Sequence, residues 1–231
     1  RYSYPIEDDF QGFRNMWYLF PGNPTGSPVY QFADAFLNQV IAKADYHVDL
    51  HGGDILERLI PLVMFNKVGN KRVDESSEKL AKAFGLEYIF EGDDYAIDGI
   101  CHVEVAKLGI PAIVVEVGDQ GRLEMKHVDI AFNGILNVMR HLGMIEGKVR
   151  YAASYKYLHR IVGLRAKRGG LFQQYIETGS NMSKGELIGE IVGMNGDVVD
   201  RIESPSDGLL VESLNNPVVH SGELVVEIGV N

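Results

Sequence analysis

The chain has 231 residues and a formal charge of −10, from 22 Lys+Arg against 32 Asp+Glu. That balance excludes a protein that grips phosphate backbones through massed cations, and a hydrophobic share of 45% with 23% charged residues excludes a disordered chain. One cysteine, Cys101, excludes an internal disulfide framework and a zinc cluster built from cysteines, and no apolar run reaches the roughly 20 residues of a membrane helix.

At roughly 150 residues per domain, the length predicts one large domain or a medium one with a small one attached. The chain starts at Arg1 rather than Met, which reads as a trimmed piece of a longer protein. Residues 1–25 are rich in aromatics, Pro and Gly, and Phe20-Pro21-Gly22-Asn23-Pro24-Thr25-Gly26 reads as a loop. Ser27-Pro28 has the pattern of an N-cap followed by proline at the first helical position. Val29, Phe32, Ala33, Phe36, Leu37, Val40 and Ile41 then recur at helical spacing, predicting one apolar face and a helix ending near Ala44.

Residues 46–50 predict a strand running into His51-Gly52-Gly53. A strand over 62–65, a helix over 76–84, a strand over 87–90 and a helix over 98–108 follow. Ala112-Ile113-Val114-Val115-Glu116-Val117 is almost wholly apolar, as in a strand buried on both faces. A long helix over 122–142 closes at Gly143. Helices alternating with buried strands predict an α/β domain with a largely parallel sheet. After about Gly147 the helical period fades into short β-rich runs. Within them Lys184-Gly185-Glu186-Leu187-Ile188-Gly189-Glu190-Ile191 is echoed by Ser221-Gly222-Glu223-Leu224-Val225-Val226-Glu227-Ile228. The echo predicts a small all-β barrel or sandwich with pseudo-twofold symmetry. The expected division is an α/β domain over 1–147 and linker strands with the β module over 148–231.

Ligands of a parallel α/β sheet collect at the carboxyl ends of its strands. His51 stands at such an end, with Asp49 two residues earlier able to orient its ring. Position alone leaves two readings open, a site residue or a loop histidine bonded locally. Glu116 stands near the end of a strand too apolar to bury a lone carboxylate. It is either a general base with a raised pKa or an edge residue bridging to Arg122. Cys101 reads as a small buried residue, His47 as packed, and Glu57, Glu78, Glu124 and Asp129 as solvated helix charges. Arg165-Ala166-Lys167-Arg168, the one basic cluster, reads as a solvated loop. No phosphate loop, dinucleotide fingerprint or Gly-x-Ser-x-Gly elbow is present.

Several segments together resemble the succinylglutamate desuccinylase/aspartoacylase family of zinc carboxypeptidase-like deacylases. They are Arg1-Tyr2, residues 20–26, residues 44–53, Pro111 through Gly118, and in the tail Gly170-Leu171-Phe172, Ser204-Pro205-Ser206-Asp207-Gly208 and Asn216-Pro217-Val218-Val219. The likeness runs through essentially the whole chain in the family's order. It implies a mixed, largely parallel sheet flanked by helices, and a Zn2+ held by a His-x-x-Glu pair and a later histidine that matches His51. Such a set leaves a position open for water. It also implies Glu116 as the general base, and a reaction that hydrolyses the amide of an N-acyl amino acid or similar small molecule.

The departures from the family pattern carry expectations of their own. No His-x-x-Glu occurs in these residues, and His102-Val103-Glu104 is one residue short of it. The missing pair is expected upstream of Arg1. Tyr18 occupies the place of a substrate-gripping Arg, and a tyrosine cannot form the two-pronged charged contact that Arg offers a carboxylate. Arg1, which matches another substrate-contacting Arg, or Arg14 could substitute, so Arg1, Arg14 and Tyr18 are the expected substrate-binding residues. The tail also resembles biotinyl and lipoyl carriers, but no Lys lies at the hairpin around residues 204–210 to bear a cofactor. The resemblance thus implies a zinc amidohydrolase acting on a small amide and forming a homo-oligomer. The chain is expected to be cytoplasmic, and its acidity and lack of a long apolar run predict no nucleic-acid or membrane partner. The competing readings are a metal-free relative that binds a ligand, and an assembly subunit using its β module as an interface.

Overall fold

The computed structural model describes residues 18–92 and 99–231. Its first half alternates helices and strands in the order α1 (Pro28–Gln39), β1 (His47–His51), β2 (Glu57–Leu59), β3 (Leu62–Asn66), α2 (Lys71–Phe84), β4 (Tyr88–Gly92), α3 (Cys101–Lys107), β5 (Ala112–Glu116), α4 (Met125–His141) and β6 (Lys156–Leu158). Five of these strands form one sheet in the order β1-β5-β3-β4-β6. Three of its pairings are parallel, and only β3 against β5 is antiparallel.

The apolar alternation along the strands divides the sheet into two faces. Val63, Phe65, Ile89, Ile113 and Val115 pack with Leu80, Phe84 and Val138 of α2 and α4. These helices approach closely at Gly134, where a Cβ would stand 2.3 Å from the Phe84 ring. On the other face Ala112 joins Ala33, Leu37, Val105 and Ala106 of α1 and α3. Leu62, Phe90 and Leu158 of that face meet Leu209 and Val211 from the C-terminal strands.

Two boundaries differ most from the periodicity. The α1 helix stops at Gln39, followed by a 3-10 turn over Ile41–Lys43. Of its predicted apolar face only Ala33, Leu37 and Ile41 are buried, whereas Phe32 and Val40 are each 56% exposed. Helix α2 begins five residues before the predicted start, because Asn70 caps it by accepting a hydrogen bond from the Val73 amide. Strand β2 was not predicted; Glu57, read above as a helix charge, lies on it. Among the described residues no helix is long and apolar enough to cross a membrane.

The C-terminal part is built from β7 (Arg160–Arg165), β8 (Gly170–Gln174), β9 (Asn181–Met182), β10 (Leu187–Val192), β11 (Val198–Glu203), β12 (Gly208–Leu214), β13 (Val218–Val219) and β14 (Leu224–Val230). They form two antiparallel sheets, β11-β10-β8-β13 and β2-β12-β14-β7, with β9 against β12. Phe172, Ile188 and Ile191 of one sheet share a core with Leu210, Val226 and Ile228 of the other. The sequence echo has a structural counterpart in matched turns. Ser183 and His220 donate their amides to Glu186 Oε2 and Glu223 Oε2 at 2.9 and 2.7 Å, and the glycine within each turn, Gly185 or Gly222, takes positive φ. Strand β10 leaves one turn and β14 the other, one in each sheet. Strands also cross the boundary expected near residue 147 in both directions. β2 joins the C-terminal sheet through β12, and β6 joins the first sheet through β4.

Candidate active site

β1 and β5 are neighbours in parallel register, and the register sets His51 directly beside Glu116. Both strands end there, so the two polar side chains share one open end of the sheet. The two following loops lock the pair in place. Gly53, at φ +70°, would place a Cβ 2.4 Å from the Gly118 carbonyl oxygen, and Gly118, at φ +117°, would place one 2.4 Å from the Gly52 oxygen. The space that Gly53 provides is therefore taken by the other loop, and only glycine fits both conformations. The Val117 amide also donates to the His51 carbonyl at 3.0 Å.

The His51 ring sits between two carboxylates. Its Nε2 lies 3.3 Å from Asp49 Oδ2 and its Nδ1 3.2 Å from Glu116 Oε1. Burial works against a charge on this ring, but the hydrogen bonds and negative charges of Asp49 and Glu116 outweigh it and hold the imidazole pKa up at about 10. Glu116 pairs with His51, and no bridge from it to Arg122 is found among the described residues. Asp49, His47 and His51 alternate along β1 and so leave the strand on one face. There one donor atom from each of His47, Asp49 and Cys101 lies within 4.8 Å of the other two.

A cleft of about 400 Å³ opens from Glu116 between this face and the C-terminal strands. Its apolar lining includes Leu62, Met64 and Val211, and Tyr18 lies on its wall. Its charged lining is Glu57, Glu116, Glu212, Glu227 and Arg165. Arg165, assigned above to a solvated loop, ends β7 and faces the cleft, and it donates to the Gly222 carbonyl at 3.0 Å. His102 and Asn66 form a buried pair on the cleft wall, with Nε2 and Oδ1 2.7 Å apart, and burial pushes the His102 imidazole down to about 3. Glu104, the other half of the shortened His-x-x-Glu pattern, is held by Lys107 at 2.8 Å.

Of the expected site residues, the structure brings His51 and Glu116 together and sets Tyr18 on the same cleft; Arg1 and Arg14 lie outside the described residues. The sequence reading missed His47 and Cys101 as neighbours of Asp49. The signal was available for His47, at two-residue spacing from Asp49 and His51, but not for Cys101, some fifty residues away. The donors around His51 are an imidazole nitrogen and carboxylate oxygens, a set suited in chemistry to a zinc-type ion.

Comparison with known proteins identifies the frame. The chain is 24% identical over 220 residues to the N-alpha-acetyl-L-2,4-diaminobutyric acid deacetylase of Halomonas elongata, covering 93% of this chain and 64% of that protein. The chain thus spans somewhat under two thirds of the curated relative's length. A succinylglutamate desuccinylase from Silicibacter superposes with a TM-score of 0.85 at 23% identity, over 94% of this chain and 67% of that one. The product-bound ectoine utilization protein EutE (DoeB) of Ruegeria pomeroyi gives 0.86 at 24% identity, over 94% and 68%. The model of the succinylglutamate desuccinylase/aspartoacylase catalytic domain matches residues 3–142, more than half of the chain. On that match, the chain belongs to the succinylglutamate desuccinylase/aspartoacylase family.

Proposed function

We propose that this chain carries the catalytic centre of a zinc-dependent hydrolase that cleaves the amide bond of an N-acyl amino acid or a similar small amide. The observation that carries the reading is the pairing of His51 Nδ1 with Glu116 at 3.2 Å, at the strand ends and at the mouth of the cleft. The family's deacylase character and the relative named as a deacetylase support it. In this reading the frame is zinc-peptidase-like, with residues 1–147 as the hydrolase domain and the C-terminal sheets as a barrel-sandwich module that walls the cleft.

His51 would hold the metal through Nδ1: Asp49 accepts the Nε2 proton and fixes the ring, and the metal would take the place of the proton that Nδ1 shares with Glu116. When bound, zinc supplies Lewis acidity that polarises a carbonyl and lowers the pKa of water. Glu116 stands beside the same ring nitrogen, within reach of an attacking water. It takes the water's proton and passes it to the departing amine, so the products are a carboxylate and an amine. With a substrate seated, the apolar wall of Leu62, Met64 and Val211 would limit water at the strand ends and so strengthen each charge interaction there.

The test is Glu116→Gln in the full-length, metal-loaded protein, assayed against a panel of N-acyl amino acids. The rate is expected to fall by roughly 10²- to 10⁴-fold with metal content unchanged. Retained activity would overturn the assignment of the base.

A further inference from the structure

His51 and Glu116 account for the hydrolytic chemistry, but the face of β1 that presents His51 carries a second set of donors one step deeper. His47 and Asp49 precede His51 at two-residue intervals, and Cys101 opens α3, which packs over that face. One donor atom of each lies within 4.8 Å of the other two. Cys101 is 4% exposed. The Nε2 of His47 is shut off from solvent and has no hydrogen-bond partner among the described residues. A buried polar atom without a partner costs about 1–3 kcal/mol, and folded proteins seldom leave one without a role.

We propose that His47, Asp49 and Cys101 hold a second divalent metal ion of the zinc class, separate from the one at His51. Imidazole nitrogen, thiolate sulfur and a single carboxylate form a mixed set that suits zinc or cobalt. Calcium and magnesium require oxygen ligands throughout. One ring nitrogen of His47 belongs to the cluster, so an ion bound there would give this half-orphaned imidazole a partner. The Cys101 S–H bond breaks as the metal–sulfur bond forms, its proton leaves to solvent, and no oxidation state changes. A carboxylate has two oxygens, so Asp49 can serve this ion while Oδ2 continues to face His51 Nε2. The ion would tie β1 to α3 next to the catalytic pair and hold Asp49 in the orientation that sets the His51 tautomer. Its role is positional, and it touches no substrate.

Cobalt substitution of the full-length protein tests this. After chelation and refilling, two cobalt ions per chain are expected, with a sulfur-to-cobalt charge-transfer band in the near ultraviolet. Cys101→Ser and Cys101→Ala should each lose the band and one ion, whereas His51→Gln should lose the other ion and keep the band. A wild-type protein that takes up a single cobalt without the band overturns the site, and so does a band that survives Cys101→Ser. The wild-type spectrum decides without any variant, so a failure of the variants to fold leaves the test intact. Absence of the band with full hydrolysis removes this site and leaves the reading of Glu116 standing. The band together with an active Glu116→Gln does the reverse.

Discussion

At the scale of single residues, the site is an argument about one imidazole and its two carboxylates. Asp49 and Glu116 occupy opposite nitrogens of the His51 ring, and in the proposed function one fixes the proton while the other faces the attacking water. Asp49→Asn should keep the shape but exchange a charged acceptor for a weaker one. Metal affinity or kcat/KM of the full-length enzyme is expected to fall by about 10- to 100-fold, the usual effect of altering a group behind a ligand. Isothermal titration with zinc, beside steady-state kinetics, would check it. Tyr18 offers a second test, because it lies on the cleft and, in the resemblance set out above, stands in the place of a substrate-gripping Arg. Tyr18→Arg should lower KM for amides bearing an extra carboxylate and leave it nearly unchanged for those without one, because only the former can use a two-pronged contact.

At the scale of elements, the pairing depends on how two strand ends are clamped. Gly118→Ala must place a Cβ against the Gly52 carbonyl at a φ of +117°, where side chains are strained. A loss of about 1–3 kcal/mol is expected in urea denaturation, with a drop in activity at temperatures where the variant is still folded, because Glu116 lies two residues away. The α2 helix is tied to β6 by Glu78, which accepts from Lys82 at 2.6 Å and from the Tyr157 hydroxyl at 2.8 Å. The Lys82 hydrogen bond, opposed by partial burial, holds the Glu78 carboxyl below its ordinary value of 4.5. A carboxyl lowered in the folded state stabilises above that ordinary value, and the contribution is lost as pH falls through the lowered one. The pair is partly exposed and screened, so Glu78→Gln should cost at most about 1 kcal/mol at neutral pH. The gap from wild type should close in denaturation curves taken below pH 4.5. The sequence reading of Glu78 as a solvated helix charge lacked its bond to Tyr157, which is 79 residues away.

At the scale of the whole molecule, the first sheet and the C-terminal strands make the cleft together, and neither encloses it alone. Leu209 and Val211 of β12 pack on Leu62 and Phe90 of the first sheet, and strands cross in both directions. Leu209→Ala should therefore cost about 2–5 kcal/mol, as for other buried leucines. It should also raise KM by loosening the wall, which thermal unfolding and kinetics on the same preparation would separate.

How much of this was legible beforehand follows from the range of each interaction. The alternation of helices with apolar strands, the strand-end placement of His51 and Glu116, and the repeated turn before β10 and β14 are written in short stretches of chain. Local periodicity and glycine chemistry decide them. The family likeness, which rests on ordered motifs, was legible for the same reason. Distant contacts were not. Strand β2 pairs with a strand more than 150 residues later, Arg165 turns from a loop charge into a cleft residue, and Cys101 arrives beside His47 and Asp49 through the packing of α3 on β1. By itself the sequence determined which residues stand at the strand ends, because side-chain period and turn residues act over a few positions. Only the tertiary structure decided what stands beside them, because the register of β1 on β5 and the closure of the C-terminal sheets depend on cores shared by the entire chain.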